Sequence, residues 1–168
     1  VTRATLEQGG NTLTVDVSED ADGNKTYTAS DTARTETPDT AAAQAFISSA
    51  ATLYFSSSAD FKPTDEALAA YGLAEPSATL TVEWTRTDDA SGAQESVTSV
   101  LYLGAVDANG DYYARLADSN AVSTLNATAL SGVLGMTLDG MLPAEEESAP
   151  ESAPASESGS VSAASAAD

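Results

Sequence analysis

The sequence contains no cysteine and no histidine. The first absence excludes a disulfide framework and thiolate chemistry, and leaves the redox compartment open. The second removes the side chain most often used as a general base near neutral pH. Positive charge is also scarce, with six Lys and Arg against 26 Asp and Glu for a net charge of −20. Nucleic acid and anionic membrane surfaces are recognised through basic patches, so neither is expected as a partner. No apolar run approaches the roughly 20 residues of a membrane span. No signal peptide is visible from Val1 onward, so an exported form is expected to carry its anchor outside this chain.

What is present suits one domain with a real core and a tail: 168 residues, 42% of them hydrophobic. The clearest local signal runs from Pro63 to Trp84. Thr64 is a natural N-cap, and Asp65 and Glu66 place negative charge at the positive end of the helix dipole. Gly72 supplies the left-handed residue that ends a helix over about 65–71, and Pro76 stands where the helix could not continue. Two turns are not stable alone, so Leu68, Tyr71 and Leu73 must dock. From Ala78 the pattern alternates. Ala78, Leu80, Val82 and Trp84 share one face of a strand, with Thr79, Thr81, Glu83 and Thr85 on the wet one.

Upstream, residues 3–8 and the alternating Leu13, Val15 and Val17 form two strands around Gly9-Gly10-Asn11. An acidic turn from Glu19 to Asn24 leads to a third strand at Lys25–Ala29, so residues 1–30 read as a meander. Thr37-Pro38 predicts a capped helix over 38–54, with Ala42, Ala45, Phe46, Ala50 and Leu53 on its apolar face. Tyr54, Phe55 and Phe61 flank a Ser-rich connection. They could line a ligand groove, but closing the gap between two helices is the commoner use of such residues.

Downstream, Asp88–Gly92 predicts a hairpin turn. The strand at about Glu95–Leu103 is apolar on both faces toward its end, as a central strand should be. Asn109-Gly110 predicts a tight turn in which both residues tolerate positive φ. Strands follow at Tyr112–Ala117 and Ala121–Leu125, and Asn126 caps a last helix carrying Leu130, Val133, Leu134, Leu138 and Met141. The whole is an α+β domain over 1–143, an antiparallel β-sheet of meanders and hairpins covered by two or three helices. Residues 144–168 are Ala, Ser, Glu and Pro with six acids and no base, which predicts a disordered acidic tail.

The ordered series Tyr71-Gly72-Leu73, Pro76 and a Thr/Val-rich strand, Leu103-Gly104, Tyr112-Tyr113-Ala114-Arg115-Leu116 and Ala121-Val122 resembles the bacterial domain of unknown function 4340 family, over about 39–140. The resemblance implies an extracytoplasmic, envelope-associated domain, tethered by an amino-terminal helix or lipid, with some members near transport or gliding systems. It supplies no catalytic residues. The low Lys and Arg content departs from many members.

Three kinds of chemistry are then open. Catalysis has no His or Cys to use, and neither Lys25 nor Lys62 sits in an S-x-x-K setting; no enzyme activity, catalytic residue or cofactor is expected. Asp20, Asp22 and Asn24, and Asp107, Asn109 and Asp111, resemble the first halves of calcium loops, but neither keeps the glycine at position six. They suit turn chemistry better. A protein-binding domain of the cell envelope is the preferred reading, with a small-ligand or calcium binder as the alternative and a hydrolase behind it. Tyr113 and Arg115, which share a strand face, are its candidate partner-binding residues. The plainer expectation for Arg115 is an ion pair with a neighbouring carboxylate.

Overall fold

The computed structural model describes residues 1–143. The tail expected over 144–168 lies outside the described residues. Nine strands form one antiparallel sheet: β1 (Arg3–Gln8), β2 (Asn11–Glu19), β3 (Lys25–Ser30), β4 (Thr35–Glu36), β5 (Ser57–Asp60), β6 (Ala78–Thr87), β7 (Gln94–Val106), β8 (Tyr112–Leu116) and β9 (Val122–Leu125). Their spatial order is β4-β3-β2-β1-β6-β7-β8-β9-β5. Four helices accompany them: α1 (Thr40–Ala51), α2 (Asp65–Ala70), α3 (Ala127–Leu130) and α4 (Leu138–Met141). The α+β antiparallel class read from the sequence is the observed one.

Period-two alternation sets the inner face. Ala4, Leu6, Leu13, Val15, Leu80 and Leu103 are buried there against Phe46 of α1, with Leu130, Val133 and Met141 closing the same layer. The outer face of the first strands is polar, with the Arg3 Nε donating to Asp16 Oδ1 at 2.6 Å and Thr5 facing Thr14 at 3.1 Å between hydroxyl oxygens.

The helix predicted from Thr37 begins later. Asp39 is its N-cap, accepting a hydrogen bond from the Ala42 N–H, while Pro38 is buried just before it. The carboxylate wins over the Thr37 hydroxyl because the Asp39 N–H is held at 2.7 Å by the Met141 carbonyl, which fixes the chain's entry. The buried face is Ala43, Phe46 and Ala50, and Ala45 is exposed. A run of alanines gives a helix little apolar contrast by which to read its phase.

The single last helix is instead two one-turn helices. Gly135 adopts φ +77° between them, and its N–H is anchored on the Gln8 side chain at 2.9 Å. Asn126 does cap the first, accepting from the Thr128 N–H.

α2 lies where its caps predict. Thr64 accepts from the Ala67 N–H, and Gly72 has φ +69°. It sits on the opposite face of the sheet from α1. Tyr71 stacks on Tyr113 with ring centroids 4.6 Å apart, and Tyr113 points away from the core residue Ala114 beside it. Leu73 and Val122 are buried outside the main core, in this second, smaller layer.

Candidate functional site

The candidate pair Tyr113 and Arg115 does share a face, the outer one, and each already has a neighbour there. Tyr113 is half-buried against Tyr71. The Arg115 guanidinium lies over the ring of Tyr102, 5.4 Å from its centroid, because the two residues are register partners on β8 and β7. This corrects the expected ion pair: Arg115 makes no salt bridge among the described residues, and its Nε is shielded from solvent without a hydrogen-bond partner. The ring face supplies the compensating charge interaction. Tyr113 therefore ties the end of α2 to the sheet through Tyr71, while Arg115 packs within the sheet face on Tyr102, and both stay half-buried.

The acidic turns are explained by the backbone. Asp20 Oδ1 accepts from the Asp22 and Asn24 N–H groups at 2.9 Å each, and Asp107 Oδ1 accepts from Asn109 and Asp111. Only Gly110 of the Asn109-Gly110 pair has positive φ, at +89°, so Asn109 does not need the left-handed conformation expected of it. No cluster of three acidic residues with metal-binding spacing occurs among the described residues.

Four aspartates carry this turn chemistry, and each is held below the ordinary carboxylate range. The first cause is the Asn24 side chain for Asp20, the Ala33 N–H for Asp31, the Ser91 hydroxyl for Asp88 and the Asp111 N–H for Asp107. A depressed folded value contributes stability that is whole above the unfolded value, near pH 4, and is lost as pH falls through the folded one. The melting temperature should therefore hold from pH 7 to about pH 5 and drop below about pH 4. Replacing all four by Asn keeps a neutral acceptor in each turn. That variant should lose part of the acid-induced drop in a pH series of thermal melts, and an unchanged drop would place the acid sensitivity elsewhere.

The aromatic residues near β5 depart most from expectation. Tyr54 and Phe61 are 74% and 75% exposed and Phe55 is 41% exposed, so they close no gap between helices. The cause is geometric. The twelve residues of α1 span about 18 Å, whereas nine strands at their usual spacing span about 38 Å. α1 crosses β3, β1 and β6 and leaves Trp84 of β6 and Leu116 of β8 half-buried on the inner face.

A groove of about 460 Å³ occupies that uncovered area. Leu80, Val82, Leu101 and Leu125 form its floor, Trp84 and Leu116 its sides, and Tyr54 and Phe55 its mouth. The sequence announced Trp84 as an inward residue. Nothing in it announced that no helix would lie over Trp84, although the predicted helix lengths were the available signal.

The edge strand β5 was missed altogether. Ser57–Asp60 has no apolar alternation, and it pairs with β9 through the Ser57 and Thr124 hydroxyls, 2.8 Å apart, with a register shift between Ser58 and Asp60. Being an edge, it needs only one partner.

No curated protein and no solved structure shows significant similarity to the chain. A family model, Domain of unknown function (DUF4340), matches residues 32–139, from the β3–β4 connection into the start of α4. That span includes the Tyr71-Gly72-Leu73 corner, the Tyr–Arg cluster and β5, and exceeds half of the chain, so the chain belongs to the DUF4340 family.

Proposed function

We propose that this domain is a noncatalytic interaction module of the cell envelope, and that the segment around β5 is the surface it presents to a protein partner. The observation that carries the reading is the exposure of Tyr54, Phe55 and Phe61 within eight residues. Aromatic side chains are the usual interface anchors, and large apolar side chains grouped at a surface mark contact sites. The bulged, four-residue β5 blunts the edge against strand addition, which favours docking through side chains.

Charge selects the partner's chemistry. Residues 1–143 hold 20 acids and six bases, and Arg3, Arg34 and Arg86 are paired with Asp16, Asp139 and Glu95. A partner face bearing Lys or Arg beside an apolar pocket is complementary. The noncatalytic part is supported by the ionisable groups. Every resolved pKa shift strengthens the charged state of a turn aspartate or of Arg3, whereas catalytic acids and bases are moved toward neutral pH. The envelope setting rests on the family resemblance.

Photo-crosslinking tests the surface. A photoreactive side chain at Ser58, in the full chain expressed in its native host, should give discrete adducts in the envelope fraction. Phe61→Ala should reduce them at least tenfold, because that exposed side chain can be removed with a stability change of about 0.5 kcal/mol or less. A photoreactive side chain at Arg86 should give none. Equal labelling from both positions would overturn the surface, and adducts confined to the cytoplasmic fraction would overturn the setting.

A further inference from the structure

We propose that the groove beside Trp84 is a binding site for an uncharged, elongated apolar small molecule, a function beyond the protein surface around Phe61, with which the groove shares Tyr54 and Phe55 at its mouth. Its volume of about 460 Å³ lies in the usual range of small-molecule pockets, about 300–1,000 Å³. The floor residues Leu80 and Leu125 are each 1% exposed, so the base of the groove is part of the core layer and is held rigidly by β6 and β9. An aromatic mouth over an aliphatic floor is the lining such ligands use.

The charge of the ligand follows from the lining. Although the chain carries 32 charged side chains, no Asp, Glu, Lys or Arg side chain borders the groove. An anion would enter against the field of a −20 protein with no Lys or Arg side chain in the lining to receive it. A cation would be drawn toward the domain but would find no carboxylate in the lining to replace its water. A neutral molecule meets neither cost. The polar side chains that the strand alternation turns toward the groove or that stand at its mouth are Ser99 and Tyr54, which can satisfy one hydroxyl or ester oxygen and little more. The chemistry recognised is therefore that of a long-chain alcohol or neutral ester.

Trp84 is the sole tryptophan, so its fluorescence reads the groove directly. Titration of the full chain with dodecanol should give a saturable blue shift of Trp84 emission, and dodecanoate and dodecylammonium should bind at least tenfold more weakly. Ser99→Phe fills the groove from the half-buried end of the sheet face and should abolish the shift. If that variant does not fold, Phe55→Ser at the mouth should weaken binding at least tenfold. Phe61→Ala should leave the titration unchanged, which separates this site from the interaction surface. The absence of a saturable shift, equal affinity for dodecanoate, or retention of binding in both groove variants overturns the proposal. A shift that depends on protein concentration in place of dodecanol would give the groove to a second copy of the chain and also overturns it.

Discussion

Gly104→Ala should destabilise this domain by about 3 kcal/mol, the upper range for overpacking, and should be the most damaging single methyl that can be added to the second layer. A Cβ at Gly104 would stand 2.1 Å from the Tyr71 carbonyl oxygen and 3.1 Å from Leu73 Cγ. The nearest obstacle is backbone, so no rotamer change relieves it. That backbone is also fixed, since the Tyr71 carbonyl accepts from the Ala105 N–H at 2.8 Å and the Ser77 N–H donates to the Leu103 carbonyl at 2.8 Å. Gly72, on the other side of the contact, has φ +69°, and its Cβ would lie 2.7 Å from the Ala105 nitrogen. The left-handed conformation alone sets its cost at about 1 kcal/mol for Ala, and the contact adds to that. Urea unfolding should therefore rank Gly104→Ala below Gly72→Ala, with both below the parent. A parent-like midpoint for Gly104→Ala would mean that the corner at 71–74 does not rest on β7.

Phe46→Ala should cost about 3–5 kcal/mol, the range for deleting a buried aromatic side chain. Phe46 heads the largest fully buried side chains and is 0% exposed, seated between α1 and the inner face of the sheet. Against a typical stability of about 5–15 kcal/mol, that loss would bring the domain close to its unfolding threshold. Phe46→Leu, which keeps most of the volume, should lose less than half as much. Ala45→Ser on the exposed side of the same helix should fall within about 0.5 kcal/mol of the parent. Denaturant midpoints for the three variants check the phase of α1 as well as its anchor. If Ala45→Ser proves costlier than Phe46→Leu, the helix is rotated from its described position.

The parts of this fold that were legible in its sequence are those whose energy is local or periodic. β1, β2, β6 and β7 each bury alternate side chains, and that period survives in any tertiary setting. Thr64, Gly72 and Asn126 act on backbone groups within a few residues of themselves, so their roles could be read directly. The features that were not legible depend on distant chain. β5 exists because β9 offers it an edge, and no residue of Ser57–Asp60 states this. Asp39 displaces Thr37 as a cap because Met141, a hundred residues away, fixes its N–H. Arg115 stacks on Tyr102 because two strands meet in one register. The open groove follows from the ratio of helix length to sheet width, a property of the whole assembly that no window of residues contains.

The meeting of β1 with β6 has a consequence for how the chain reaches this structure. The pairing joins residues at least 70 apart along the chain, from Gln8 with Ala78 to Arg3 with Glu83, and it is the one ladder that unites β4-β3-β2-β1 with the remaining five strands. Hairpins on either side can close quickly from neighbouring residues, whereas this seam must close a long loop first, so it should set the pace of folding. During synthesis from the amino terminus, β1 emerges with its partner β2 but waits for β6 with one edge uncovered. The growing chain thus spends its most aggregation-prone interval with Ala4 and Leu6 exposed at an open edge, and the shared negative charge of the chain keeps such half-made sheets from adhering to one another.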